Sequence, residues 1–340
     1  MGERNEFGAR VGRLFLALLI GLTSISLIVF IAGSTSVLKR VFDARPSAVL
    51  WLFTVSIGVI LVDSLRTVIL CGGLKKRIKY AKALENSILG FYVSAITPFS
   101  AGGQPFQIYH LTRVGLNVEE ASTVVGLKFV TSFSVSVALG LIALIEFSED
   151  IKRIPAVGPI MYLGMSLTVM MYVFFLFMAM GGKFTEAILS SKVISYPIAF
   201  FLRKNAEEVR KTAVEKVRSY TEMIRGYWRR SVLRFLANVF LSFSMVILIL
   251  SSPYFSISAV SSESLEYTKI LGLQVAMNMV VYFLPTPGSS GGVEGMFYLV
   301  FSDSVGKEAV ASALVLWRFF TYYLVIIIGN VVVSRYIRSR

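Results

Sequence analysis

Several stretches of this chain run for about 20 residues with almost no charged side chain, and they restrict its fold more than any other feature. An α-helix of that length crosses the roughly 30 Å hydrocarbon layer of a membrane. The 340-residue chain is 55% hydrophobic and 16% charged, whereas a soluble domain carries about 25% charged residues. We therefore predict an all-α polytopic membrane protein with a single membrane domain over residues 1–340.

The apolar runs predict six full membrane spans. Their expected bounds are about 13–32, 47–71, 120–147, 159–181, 231–252 and 307–333. Two further apolar segments, about 84–113 and 267–302, are each interrupted by Pro and Gly, and their arms are too short to cross. We predict that both are re-entrant helical hairpins. The polar stretch 183–230 contains an expected basic amphipathic helix, at 203–230, lying on the anionic membrane surface.

The two interruptions share a sequence pattern. "TPFSAGGQ" begins at Thr97 and "TPGSSGGV" begins at Thr286, 189 positions later. After them, "EASTVVGLKFVTSF" from Glu120 is similar to "VASALVLWRFFTYY" from Val310. We interpret this as a duplication, with repeat one at about 13–147 and repeat two at about 159–333. Three spans separate the hairpins, so the second copy is expected to be inverted, a design that places transporter binding sites at the breaks.

The distribution of basic residues predicts the orientation. The formal net charge is +14, and cytoplasmic loops of membrane proteins are rich in Lys and Arg. The patch "KKRIK" at 75–79, the 183–230 stretch and both termini are therefore expected on the cytoplasmic side of the cell membrane. The loop 253–266 falls outside. The loop 33–46, with Lys39, Arg40 and Arg45, also falls outside, against the trend. Nucleic-acid binding is not expected.

Both breaks are expected to expose backbone N–H groups at a helix start, where anions bind. The glycine pairs at these starts are Gly102 with Gly103, and Gly291 with Gly292. Gln104 and Gln107 flank the first break as neutral donors for a phosphate or for sugar hydroxyls. The alternative is that the glycines are hinges or close-packing points.

Ionisable residues inside the spans are costly and indicate functional sites. Lys128 and Arg318 occupy matching positions after the two hairpins; Lys128 could reach the membrane surface, whereas Arg318 is nearly central. Arg318 could instead form a structural ion pair with Glu294. That carboxylate either caps a helix or competes with a substrate as a protonatable group. Asp63 and Arg66, three residues apart, are expected to pair locally.

The chain offers little for metal or cofactor chemistry. It has one cysteine, Cys71, and one histidine, His110, which excludes an intrachain disulfide and a zinc cluster of Cys and His. No cofactor and no catalytic constellation are expected. The expected partners are membrane lipids, either anionic phospholipid or a lipid-linked substrate, and a homodimer is left open.

The stretches "TPFSAGGQPFQIYHLTRVG" and "LPTPGSSGGVEG", with an Arg in the last span, resemble the lysylphosphatidylglycerol-synthase transmembrane family, which includes the flippase half of the multiple peptide resistance factor. The resemblance implies that lipid head groups move between leaflets. Glu294 and Arg318 match positions that carry Glu and Arg in the family, whereas Gln104 stands where the first hairpin usually has Glu. This sequence shows no soluble aminoacyl-transferase domain, so lysyl transfer is not expected.

Three functions are consistent with the sequence. The first is a flippase or transporter for a lipid with a phosphate-bearing head group, with aminoacylated and glycosylated head groups left open. The second is a membrane phosphatase acting on polyprenyl diphosphate, because "PGSS" at 287–290 echoes the motif of such enzymes. The third is an accessory subunit that presents lipid to a separate synthase. We predict that residues at the breaks bind the substrate: Gly102, Gly103, Gln104, Gln107, Lys128, Gly291, Gly292, Glu294 and Arg318.

Overall fold

A computed structural model describes residues 34–154, 157–180, 226–263, 266–281 and 283–338, with scattered residues at 22–32 and 207–222. All regular elements in these ranges are helical. They are α1 (Ser34–Phe42), α2 (Pro46–Gly73), α3 (Tyr80–Ala95), α4 (Gly103–Arg113), α5 (Val118–Glu146), α6 (Ser148–Lys152), α7 (Val157–Met180), α8 (Val232–Val260), α9 (Tyr267–Val281), α10 (Gly292–Val305), α11 (Lys307–Arg318), a π-helical turn (Phe319–Tyr323) and α12 (Leu324–Arg338).

Five membrane-spanning candidates lie in the described residues: α2, α5, α7, α8, and α11 continued through α12. They match five of the six predicted spans, so the all-α polytopic fold is confirmed. The sixth predicted span, 13–32, and the basic segment 183–230 with its amphipathic helix lie almost entirely outside the described residues.

The short helices form two hairpins. Helices α3 and α4 have 16 and 11 residues, about 24 and 17 Å at ~1.5 Å per residue, less than the membrane thickness. They lie side by side, and a hydrogen bond from the Asn86 side chain to the Gln107 carbonyl oxygen, at 2.9 Å, joins them. In the second hairpin, the Ser289 hydroxyl donates back to the carbonyl oxygen of Val281 at 3.3 Å.

The turns that join the arms share the backbone conformation of their central residues, although the glycines that follow, Gly102 with φ of -76° and Gly291 with φ of 91°, differ. Each places two consecutive residues in the left-handed region, with φ between 54° and 56°: Phe99 and Ser100, and Gly288 and Ser289. In each turn the next amide donates to the proline carbonyl oxygen at 3.1 Å: Ala101 to Pro98, and Ser290 to Pro287. Pro98 and Pro287 also pair with each other as an antiparallel β-bridge. The two turns therefore meet.

Contacts between helix ends show that each hairpin returns to the end from which it starts. At one end, called the α1 end, the Arg45 amide donates to the Ala259 carbonyl oxygen at 2.8 Å, which joins the start of α2 to the end of α8. Arg40 pairs with Glu308 there, at the start of α11. The hairpin α9–α10, which lies between α8 and α11, thus begins and ends at the α1 end.

The opposite end, called the Lys76 end, gives the same result for the first hairpin. Lys76, just after α2, pairs with Glu120 in the first turn of α5 at 3.3 Å. The Ser231 hydroxyl, at the start of α8, donates to the Gly73 carbonyl oxygen at 3.2 Å. Because α2 ends and α5 begins at this end, the hairpin α3–α4 between them is re-entrant.

Two predicted boundaries are wrong. The fifth span was expected to end at 252, but α8 continues through Pro253 to Val260. Proline cannot donate to the carbonyl oxygen four residues earlier; the Ser252 hydroxyl donates to that oxygen, on Ile249, at 2.7 Å instead. The helix therefore continues past the proline. In addition, the expected loop 33–46 contains helix α1.

A large apolar core holds the second hairpin against its neighbours. Most of its buried members come from α7, α9, α10 and α11, among them Met161, Met277, Phe301 and Trp317, and α6 and α8 add Ile151 and Ile257. The ring of Phe297 stacks on that of Trp317, with centroids 4.8 Å apart. This contact fixes α10 against α11, the two helices that carry Glu294 and Arg318.

Candidate functional site

The second break is closed by a carboxylate of the chain itself. Gly291 precedes α10 with φ of 91°, and its amide donates to Glu294 Oε2 at 2.7 Å. A helix start stabilises negative charge, and Glu294, which is fully buried, supplies it. The helix-capping interpretation of Glu294 is therefore correct for this structure, and the start of α10 is already occupied.

Arg318 lies against this cap. Its Nε is 2.9 Å from Glu294 Oε1, so the ion pair considered from the sequence is present. The guanidinium carbon lies 5.4 Å from the Trp317 ring centroid and 5.1 Å from that of Tyr322. Aromatic faces attract a cation at this range. The arginine is 5% exposed, and cation–π contacts with the two rings stabilise its positive charge.

The hydrogen-bonding capacity of this site, here called the second-break site, is not used up. Among the described residues, Arg318 Nη2 has no hydrogen-bond partner, and the contact between Arg318 Nε and Glu294 Oε1 lacks hydrogen-bond geometry. The buried hydroxyl groups of Thr286 and Tyr323 likewise find no partner in the described part of the chain. A buried unsatisfied donor costs about 1–3 kcal/mol. The site therefore has open donors for a ligand rich in acceptor oxygens.

A π-helical turn, Phe319–Tyr323, directly follows Arg318. Short π-helical segments inside α-helices are frequent at functional sites. This turn aims the Tyr322 hydroxyl at the first hairpin, where it donates to the Ala95 carbonyl oxygen at 3.1 Å. The second-break site is thus linked directly to the first hairpin.

A second buried charge cluster, here called the Asp63 network, lies between α2, α3 and α5. Lys128 Nζ lies 2.7 Å from Asp63 Oδ2 and also donates to Thr67 Oγ1 at 2.9 Å. The Ser87 hydroxyl donates to the same carboxylate oxygen at 2.7 Å. Lys128 is 5% exposed. The expectation that it could reach the membrane surface is wrong, because Asp63 offers it a buried partner.

Arg66 completes the network. It is 3.6 Å from Asp63, so the predicted local pair exists, but its hydrogen bonds go elsewhere. Its guanidinium donates to the Lys128 carbonyl oxygen at 2.6 Å, to Thr131 Oγ1 at 3.1 Å and to Asn238 Oδ1 at 3.0 Å. These bonds connect α2, α5 and α8 and leave the network saturated.

The predicted residues of the first hairpin do not come together at one site. Gly102 and Gly103 begin α4, where a Cβ on Gly103 would lie 2.6 Å from the Gly90 carbonyl oxygen. The close-packing alternative therefore holds for Gly103. Gln107 is buried over Gly90, with its amide 3.5 Å from Asp63 Oδ2, and does not face the break. Gln104 is exposed at the start of α4.

Around the second break, the structure brings four predicted residues together. These are Gly291, Gly292, Glu294 and Arg318. A Cβ on Gly292 would lie 2.8 Å from the Leu284 side chain, so this glycine is also a close-packing position. Their role in substrate binding stays a prediction.

Sequence reasoning missed the partner of Lys128 and the aromatic setting of Arg318. Asp63 was assigned to Arg66 because the two are neighbours in sequence. Two cations and one carboxylate within the spans were a signal that Lys128 also needed Asp63. Nothing comparable in the sequence indicated that Tyr322 and Tyr323 lie near Arg318. Within the described residues, no group of three or more His, Cys, Asp or Glu side chains could hold a metal ion.

Comparison with known proteins agrees with this architecture. The family model described as the lysylphosphatidylglycerol synthase TM region matches residues 14–329. A UPF0104 membrane protein of Archaeoglobus fulgidus is 25% identical over 291 residues, which cover 83% of this chain and 84% of that protein. The family match over residues 14–329 includes both hairpins and the helices that carry Glu294 and Arg318. The chain belongs to the lysylphosphatidylglycerol synthase transmembrane-region family.

Proposed function

We propose that this protein binds the phosphate-bearing head group of a lipid at the second-break site and moves it between the membrane leaflets. One observation carries the proposal: Arg318 is buried within a membrane span, yet its Nη2 has no hydrogen-bond partner among the residues that the structure describes. Ionisable groups at such depth face a bundle interior or a cavity and mark substrate pathways. The family name supports a phospholipid as the substrate class.

Arginine is well suited to phosphate, because its planar guanidinium forms two parallel N–H···O bonds. In this structure Nε lies against Glu294 while Nη2 is open. We expect the phosphate to replace the carboxylate on Arg318, and Glu294 to keep its bond from the Gly291 amide.

This replacement changes the charge of the site. Arg318 and Glu294 together are neutral, so an added phosphate would leave one uncompensated negative charge in a buried place. Such a charge is costly.

The arrangement of the helix ends supports an orientation. The Lys76 end carries the basic patch at 75–79. The last span starts at the α1 end, so its basic C-terminal turn, with Arg335 and Arg338, also lies at the Lys76 end. By the bias of basic residues toward the cytoplasm, we assign the Lys76 end and both termini to the cytoplasmic side of the cell membrane.

Reconstituted liposomes test the proposal. A fluorescent anionic phospholipid should exchange between leaflets faster with the protein than without it. Arg318→Gln should slow this exchange about tenfold or more, the value of one charge-assisted hydrogen bond. Arg335→Gln is the matched control, because it removes an exposed arginine of the same span. No acceleration by the native protein with any anionic or aminoacylated lipid would contradict the proposal.

Glu294→Gln tests the competition. The amide oxygen can still accept from Gly291, but the negative charge is gone. We expect anionic lipid to bind about tenfold more tightly, since a charge-assisted contact of Arg318 is released. Titration calorimetry measures the affinity. An unchanged affinity would exclude Glu294 as the competitor.

The same preparations separate the alternative functions. Release of phosphate from polyprenyl diphosphate would favour the phosphatase. Lipid binding that depends on Arg318, without exchange between leaflets, would favour the accessory subunit.

A further inference from the structure

A polar groove at the α1 end is not used by the proposed mechanism. Its volume is about 410 Å³, within the roughly 300–1,000 Å³ of ligand pockets. It lies between α1, the end of α8 and the start of α11. The charged residues of its lining are Lys39, Arg40, Asp43, Arg45 and Glu308.

The charges in the groove are only partly paired. Arg40 and Glu308 lie 3.6 Å apart and neutralise each other. Arg45 is held in place by a 2.6 Å bond from its Nη2 to the Ser261 carbonyl oxygen. Lys39 forms no ion pair with any carboxylate in the described part of the chain. With Asp43, these groups leave the groove one net positive charge.

Helix α1 places this groove at the level of the lipid head groups. Leu38 is 49% exposed and Phe42 is 86% exposed on this helix, beside the cationic residues that line the groove. The Ser312 hydroxyl of α11 donates to the Val37 carbonyl oxygen at 3.2 Å, so α1 is docked on the membrane domain. A short helix with exposed apolar and basic residues is typical of the membrane interface. Trp51, exposed early in α2, fits the same level.

We propose that this groove binds the head group of a monoanionic phospholipid. Its phosphate would contact Lys39 and Arg45, a head-group hydroxyl would donate to Asp43, and its acyl chains would lie along Leu38 and Phe42. One negative charge balances the net charge of the groove. The groove is a separate site: Glu308 and Arg318 are ten residues apart on α11, about 15 Å at ~1.5 Å per residue. The inference does not depend on lipid movement.

Calorimetry of the full chain in nonionic detergent tests this site. The probes are short-chain phosphatidylglycerol, the same lipid type with an uncharged choline head group, and glycerol phosphate without acyl chains. The Arg318→Gln background removes the contribution of the second-break site. In that background, Lys39→Gln should weaken phosphatidylglycerol binding about fivefold, as expected for one lysine near a membrane surface.

The matched control is Lys307→Gln, which removes an exposed lysine next to Glu308 and outside the groove lining. It should leave the affinity unchanged. An equal loss with Lys307→Gln, or none with Lys39→Gln, would overturn the groove assignment. Equally tight binding of glycerol phosphate would show that the groove binds soluble anions, and it would contradict the proposal of a lipid ligand. If the groove assignment fails while lipid exchange still depends on Arg318, the proposed function is unaffected.

Discussion

Lys128 and Arg318 occupy matching positions 190 residues apart, but their surroundings differ. Lys128 reaches both Asp63 and Thr67, and the neighbouring Arg66 has hydrogen-bond partners on two further helices. Arg318 has one ion pair, two aromatic rings and an open Nη2. A saturated cation stabilises helix packing, whereas an unsaturated one is prepared for a ligand. We infer that repeat one provides the scaffold and repeat two the binding site.

The backbones differ in the same way. Helix α5 is a regular α-helix through Lys128, but α11 passes into a π-helical turn directly after Arg318. The irregular backbone lies where the proposed site is open.

The largest expected effect is on the Asp63 network. Asp63→Ala leaves two buried cations without a carboxylate, which should cost about 3–5 kcal/mol of folding free energy. Thermal unfolding in detergent measures it. The double variant Asp63→Leu with Lys128→Met should recover much of the loss, because the buried pair is removed together. A small loss for Asp63→Ala would contradict the scaffold role.

Arg318→Gln should destabilise the fold less, by about 1–2 kcal/mol, because Glu294 keeps the bond from the Gly291 amide at the helix start and because the change also removes donors that are unsatisfied in the native state. It should nevertheless reduce lipid exchange more strongly than any variant at an exposed arginine. The same unfolding assay gives the comparison. A stability loss equal to that of Asp63→Ala would contradict the inference that the Asp63 network has a structural role that Arg318 does not share.

The smallest effect is expected at the two turns. Phe99 has φ of 54°, a left-handed conformation that costs a residue with a side chain about 1–2 kcal/mol. Phe99→Gly should therefore raise the unfolding temperature slightly. Gly288→Ala is the mirror experiment and should lower it, because the new methyl group would meet the Tyr322 ring and lie 3.0 Å from the Ala95 carbonyl oxygen. Opposite signs are expected; destabilisation by both variants would indicate that the Phe99 ring itself is needed.

The parts of the fold that could be predicted are those set by hydropathy and by Pro and Gly. Five spans and both breaks follow from these patterns, because length in an apolar run decides whether a helix crosses. The end of α8 could not be predicted, since it depends on a hydroxyl of Ser252 that replaces the bond lost at Pro253.

The candidate site was predictable only in part. Arg318 and Glu294 are 24 positions apart across a short turn, and their opposite charges made an ion pair predictable. Lys128 and Asp63 are 65 positions apart, with Arg66 as a nearer cation, so the partner depended on three-dimensional packing. The π-helical turn after Arg318 left no trace in the apolar pattern, because all five of its residues, FFTYY, are compatible with an α-helix.

The bridge between Pro98 and Pro287 has a consequence for how the chain can evolve. A residue that pairs with its counterpart in the other turn resembles a residue on the axis of a symmetric dimer, where one position contacts itself. A substitution at either proline changes the surface that the other turn contacts, so we expect the two turns to change together. Positions away from this contact are free of the restriction. The charges about 30 residues further along illustrate this freedom, since one set forms a closed network and the other an open site.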